Sequence, residues 1–114
     1  NPQLARGQVV GGMEMGIGYA RTEGFEFGSR EQVLNDVLRD YKIPRYGEDP
    51  EYGVEFVETP QINGPYGVRG LGEPGIVGIP GALSNALSKA IGKEIKELPI
   101  TPEKIWKKME EEKE

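Results

Sequence analysis

Over the first two dozen residues, NPQLARGQVVGGMEMGIGYARTEG, apolar side chains recur at a helical interval. At about 100° per residue, Val9, Val10, Met13, Ile17 and Ala20 gather on one side, which predicts a helix. Gly7, Gly11 and Gly18 gather on another side, within roughly 40° of one another by the same period. A glycine in a helix interior costs up to ~1 kcal/mol relative to alanine. A stripe bare of side chains lets a neighbouring backbone or a ligand approach closely. Tight packing and ligand approach are both open on this segment alone.

Further along, the period shortens to two. FEF at 25–27 and GVEFVE at 53–58 alternate apolar and polar residues, the pattern of half-buried strands. Between them, GSRE reads as a turn, VLNDVLRDYKIP as an irregular segment ending at Pro44, and RYGEDPEYG as a polar loop. The helical period returns in PGALSNALSKAIGK. There Leu83, Ala86, Leu87, Ala90 and Ile91 share a face, and Gly92 stands where a C-terminal glycine cap belongs. A last helix begins with Thr101 as N-cap and Pro102 in the first turn. Ile105, Trp106 and Met109 supply its apolar side, with Trp106 expected as a core anchor. The terminal EEEKE reads as a solvated, fraying end. The fold expected is α+β, a small mixed sheet with two or three packed helices, as one domain or segment over residues 1–114.

Composition narrows the chemistry. A chain of 114 residues is one domain at most, and at this size buries only roughly 60–70% of the surface its unfolded form exposes. Its 17 glycines are about twice average usage. The net charge is −5, and no basic stripe with interleaved aromatics occurs, which argues against a nucleic-acid partner. No apolar run approaches the length of a membrane span, and a cytoplasmic location is expected. With neither cysteine nor histidine, thiol nucleophiles, imidazole bases and the usual zinc ligand sets are excluded, and no metal ligands are assigned. Acid–base work must fall to Asp, Glu, Lys or Tyr. The sequence opens at Asn1 rather than methionine, as expected of a fragment or a processed subunit.

One stretch concentrates the chemistry. GPYGVRGLGEPG, residues 64–75, is dense in glycine and carries a single acid, Glu73. Because Pro74 follows, Glu73 is expected on extended backbone just before a helical region. The segment is not a nucleotide P-loop, since no Lys-Ser or Lys-Thr follows the glycines. From these residues alone, Glu73 is either an inert surface acid or a base held close to a large cofactor.

The same stretch resembles the glycine-rich segment near the C-terminus of the xanthine dehydrogenase/aldehyde oxidase family of molybdenum hydroxylases. Their pattern runs aromatic, glycine, basic residue, Gly, aliphatic, Gly, Glu and commonly Pro. The resemblance extends over nearly the whole chain. NPQLARGQVVGGMEMGIGYARTE is similar to the family's glycine-rich helix, VLN and DYKIP to its middle, and FVETP to the strand before the loop. VGIPGALSNALSKAIGKEIKELPITPEKIW is similar to its closing helix, short strand and final helix.

The resemblance implies the C-terminal part of a molybdopterin-binding large subunit. It implies Glu73 as the general base of a water-derived hydroxylation of an electron-poor carbon. It further implies that Gly70, Leu71 and Gly72, and less directly Gln8, Gly11 and Gly12, lie against the molybdopterin. Upstream segments of the large subunit would supply most cofactor and substrate contacts. Iron–sulfur clusters and FAD would sit on partner subunits or domains, and the substrate would be a small molecule. Arg6 stands where the family usually has an acid, and Arg21 where it more often has Leu. Two other readings stay open: a non-catalytic interaction module that keeps the fold, and a small carboxylate hydrolase with Glu58 or Asp49 as second acid.

Overall fold

The structure is a computed structural model that describes residues 1–110. The first helix, α1, spans Pro2–Arg21. Asn1 caps it, its Oδ1 accepting from the backbone N–H of Gln3 at 3.0 Å and of Leu4 at 3.2 Å. These are two of the donors that a helix start leaves without intrahelical partners. After a 3-10 turn at Pro65–Gly67 come a one-turn helix α2, Pro74–Val77, and then α3, Ile79–Ile91. The last helix, α4, spans Pro102–Glu110. Helix α1 is the platform, with α2 and α3 both packed along it.

Gly92 takes a left-handed φ of 72°, and its N–H returns to the Ser88 carbonyl, the glycine cap expected for α3. Thr101 Oγ1 accepts from the Lys104 N–H at the start of α4, as expected. The segment after Gly92 is held by two α3 serines one turn apart. Ser84 Oγ donates to the Ile95 carbonyl at 2.6 Å, and the Ile95 N–H donates to Ser88 Oγ at 2.9 Å. Ile100 then donates its N–H to the Ala20 carbonyl at 2.7 Å, which fastens the C-terminal region to the end of α1.

Residues 22–44 fold back over that same end. Thr22 Oγ1 donates to the Lys42 carbonyl, and Tyr41 Oη to Glu23 Oε2 at 3.1 Å. The buried amide of Asn35 closes the turn, donating to the Gly24 carbonyl at 2.7 Å and accepting from the Glu26 N–H at 3.0 Å. Nothing in the periodicity of the sequence singled out Asn35.

The expected sheet does not form among the described residues. Residues 25–27 contribute one antiparallel bridge, Phe27 to Val33, and residues 53–58 join no ladder. Alternation dictates which face a strand buries, but a ladder also needs a second backbone to pair with. The expected core position of Trp106 is likewise overturned. Its side chain is 62% exposed, because no described element covers that face of α4. Ala20 and Ile100 are the buried apolar side chains among the described residues. Apart from Glu110, which ends α4, the terminal acidic run lies outside the described residues.

The radius of gyration is 18.1 Å, against about 13 Å for a compact domain of this length. The accessible surface is 9404 Å², against roughly 6,200 Å² for a compact monomer of this mass.

Candidate functional site

The glycines of α1 divide into two sets. A Cβ on Gly12 would lie 3.2 Å from the Cα of Gly75, and one on Gly75 would lie 2.7 Å from the Val9 carbonyl oxygen. A Cβ on Gly16 would meet that of Ile79 at 2.6 Å. Gly12 and Gly75 let the backbones of α1 and α2 touch, and Gly16 makes room for the Ile79 side chain at the start of α3. Gly18 belongs with them, since a Cβ there would come within 2.8 Å of Pro44 Cδ. Gly7 and Gly11, by contrast, have nothing within 4 Å of a built Cβ. The stripe expected at Gly7, Gly11 and Gly18 is therefore two surfaces, one packed and one open. The angular period was right, but it could not tell which side the neighbouring backbone takes.

Because α2 begins at Pro74 and is seated on α1 through Gly75, the loop just before it is fixed beside the open set. Gln8 reaches across and donates its side-chain amide to the Gly72 carbonyl at 2.6 Å. Gly70 and Gly72 both have open space where a Cβ would stand, and Leu71 is 37% exposed. Gln8, Gly70, Leu71, Gly72 and Glu73 are thus brought to one region, with Gly11 open on α1 one turn beyond Gln8. Gly12 sits beneath it, in the seam with α2.

Glu73 stands at the N-cap of α2, but its carboxylate makes no cap hydrogen bond and no ion pair with a described residue. Its backbone has φ −116° and ψ 23°, a bridging conformation rather than the extended one expected before proline. That conformation lets the Glu73 carbonyl accept from the Ile76 N–H at 3.2 Å and open the short helix. The carboxylate is exposed. Glu58 and Asp49 form no ion pair or hydrogen bond with it, and no cluster of potential metal ligands occurs among the described residues.

Two arginines hold the segment that precedes this loop. Arg69 donates to the carbonyl and the hydroxyl of Thr59. Arg6 donates to the Tyr52 carbonyl at 3.1 Å. Arg6 departs from the family pattern in the sequence, and its partner is 46 residues away, beyond any local signal. Gly75 was also missed as a packing residue, because a single glycine after proline carries no periodic mark.

The site is a face rather than a cavity. Two concavities, of about 480 and about 620 Å³, lie elsewhere. The first is lined by Ile95, Ile100 and Lys104, and the second by Arg21, Pro44 and Asp49. No described helix is long and apolar enough to cross a membrane.

Comparison with known proteins gives this face a context. A family model described as a molybdopterin cofactor-binding domain matches residues 1–50. The xanthine dehydrogenase molybdenum-binding subunit of Escherichia coli O157:H7 is 41% identical over 107 residues, covering 93% of this chain and 14% of its own length. The nicotine 6-hydroxylase large subunit of Paenarthrobacter nicotinovorans is 33% identical over 108 residues, covering 92% of this chain and 13% of its own. Among solved structures, quinoline 2-oxidoreductase from Pseudomonas putida 86 superposes with a TM-score of 0.91 at 31% identity, over 97% of this chain and 14% of that one. The chain thus spans about one-seventh of the length of the relatives it matches. On these matches, the chain belongs to the xanthine dehydrogenase/aldehyde oxidase family of molybdenum hydroxylases.

Proposed function

We propose that this chain supplies one wall of a molybdopterin site, and Glu73 as its general base, in an oxidoreductase that hydroxylates an electron-poor carbon. One observation carries the reading most. An open glycine loop, Gly70–Gly72, is tied to α1 by Gln8 and presents a carboxylate without a partner among the described residues. Gly11 and the two loop glycines leave room for a bulky group to lie against backbone, so the residues present fit such a cofactor. Gln8 and the 70–72 backbone would hold its near edge, while Gly12 keeps α2 in place beneath. The cofactor, when bound, supplies the redox chemistry, taking two electrons from the substrate carbon as that carbon gains a water-derived oxygen.

The chain's own part is proton transfer and positioning. Glu73 accepts the proton of the attacking oxygen at a carboxylate oxygen and later releases it to solvent. A carboxylate suits this role in a chain without histidine. Other cofactor contacts belong to an upstream portion of the same large subunit, and the electrons pass to iron–sulfur clusters and FAD on partner subunits or domains. This chain alone holds no complete site, and in isolation it is expected to bind no molybdopterin and to turn nothing over.

The test is Glu73→Gln in the assembled enzyme. Cofactor content should match wild type while turnover falls by about 10²–10⁴, the usual worth of a general base. Wild-type turnover in that variant removes Glu73 from the mechanism.

A further inference from the structure

An asparagine loses its side-chain amide most readily when glycine follows it, because glycine has no side chain to keep its backbone nitrogen away from the asparagine Cγ. The chain has four asparagines, and their surroundings separate them. Asn1 precedes Pro2, whose nitrogen has no hydrogen to give up, and its Oδ1 caps α1. Asn35 is buried, with its amide bound on both sides. Asn85 lies inside α3, where the N–H that follows it belongs to the helix ladder. Asn63 precedes Gly64, lies in an exposed turn, and makes no side-chain hydrogen bond with a described residue.

The turn itself demands the glycine. A Cβ on Gly64 would lie 2.7 Å from the Val68 carbonyl oxygen, so no larger residue fits there to protect Asn63. What shields the Gly64 nitrogen is its hydrogen bond to the Gln61 carbonyl at 3.2 Å, at the long end of the usual range. That bond closes an exposed turn, where local opening costs little.

We propose that Asn63 is a site of spontaneous modification, converting to aspartate and isoaspartate through a succinimide. The Gly64 nitrogen gives its proton to hydroxide and attacks Asn63 Cγ. The new C–N bond closes a five-membered ring, and the side-chain nitrogen takes a proton from water and leaves as ammonia. Water then opens the ring at either carbonyl, with no change of oxidation state. Opening at the main-chain carbonyl leaves isoaspartate, which adds a methylene to the backbone, and either product carries a new carboxylate. The added methylene falls inside the loop that the Gln61 N–H closes on the Gly67 carbonyl at 3.1 Å. That loop holds Tyr66 at a left-handed φ of 55°, and the chain leaves it through Arg69 into Gly70–Glu73. Isoaspartate at position 63 therefore loosens the entry to the candidate site. The modification rests on Asn63 and its turn, not on the role of Glu73.

Ageing the assembled enzyme at neutral to mildly alkaline pH tests it. Trypsin cutting after Arg45 and Arg69 releases residues 46–69, in which Asn63 is the sole asparagine. That peptide should gain the mass of an amide-to-acid change, located at residue 63 by fragmentation and divided between two chromatographic species. Its rate should rise in proportion to hydroxide, while Asn35 and Asn85 keep their amides. Asn63→Gln should hold the peptide's mass over the same period, since the longer side chain must close a six-membered ring. An unchanged 46–69 peptide in the aged assembly overturns the proposal, and so does a mass change located at Gln61. Turnover lost on ageing should follow the isoaspartate fraction and be spared in Asn63→Gln. Equal loss in that variant overturns the loosening of the loop. Mass is read without turnover, so the modification stands or falls whatever Glu73→Gln shows.

Discussion

The side-chain amide of Gln8 donates to the carbonyl of Gly72, the residue immediately before Glu73, at 2.6 Å. A helix residue thereby fixes the backbone of a loop 64 positions away, and the loop carries the chain's candidate base. The bond joins the two regions that the sequence marked separately, the glycine helix and the Gly-Leu-Gly-Glu-Pro segment.

Removing that amide should loosen the loop without emptying the site. A neutral hydrogen bond contributes about 1 kcal/mol, so Gln8→Ala in the assembled enzyme should lower turnover by roughly fivefold. Gln8→Glu should do no better, since a carboxylate cannot donate to the Gly72 carbonyl. Steady-state rates at matched molybdenum content check this, and a Gln8→Glu enzyme at wild-type rate would show that the loop is held otherwise.

The packed glycines should be intolerant where the open ones are not. Gly75→Ala places a methyl group 2.7 Å from the Val9 carbonyl, and Gly16→Ala places one 2.6 Å from Ile79 Cβ. Overpacking of this kind costs typically 1–3 kcal/mol. Gly81→Ala, in α3 with nothing within 4 Å, should instead be neutral or stabilise by up to ~1 kcal/mol. Thermal unfolding of the three variants in the assembled subunit decides the matter by sign.

Asn35 should resist even a near-isosteric change. Asn35→Asp keeps the acceptor facing the Glu26 N–H but turns an oxygen towards the Gly24 carbonyl. Losing a buried donor this way costs about 1–3 kcal/mol. Denaturant titration should give a lower midpoint for Asn35→Asp. An unchanged midpoint would mean that the 22–44 turn is held by its other contacts.

Two tyrosines should ionise late. Desolvation, the hydrogen bond to Glu23 and that carboxylate's charge raise Tyr41 above the ordinary phenol value. Desolvation and the charges of Asp49 and Glu14 raise Tyr52. A raised folded-state value means the folded form favours the protonated phenol. The contribution is fully present below the ordinary value near 10 and is lost as pH rises through the folded-state value. An alkaline absorbance titration of wild type against Tyr41→Phe and Tyr52→Phe should therefore show each variant losing a late-titrating phenol.

Where one stretch of chain carries its own signal, the fold was readable in advance. Helix α1, the α3 face of Leu83 and Leu87, the Gly92 cap and the Thr101–Pro102 start of α4 all follow from nearest-turn chemistry. The candidate site was legible only in part. Glu73 and the 70–72 glycines stood out by composition, but Gly75, Arg6 and Asn35 act on partners that no local pattern names.

By itself, then, the sequence determined which segments are helical, where they stop, and that any base must be a carboxylate, lysine or tyrosine. Those are matters of backbone propensity and residue chemistry, settled within a few neighbours. Only the tertiary structure decided that Gly12 and Gly16 are packing surfaces while Gly7 and Gly11 are open, and that Trp106 is uncovered. It also decided that GVEFVE has no ladder among the described residues. The reason is the same in each case. A face or an edge acquires its meaning from whatever lies against it, and that depends on distant backbone rather than on the residues that form it.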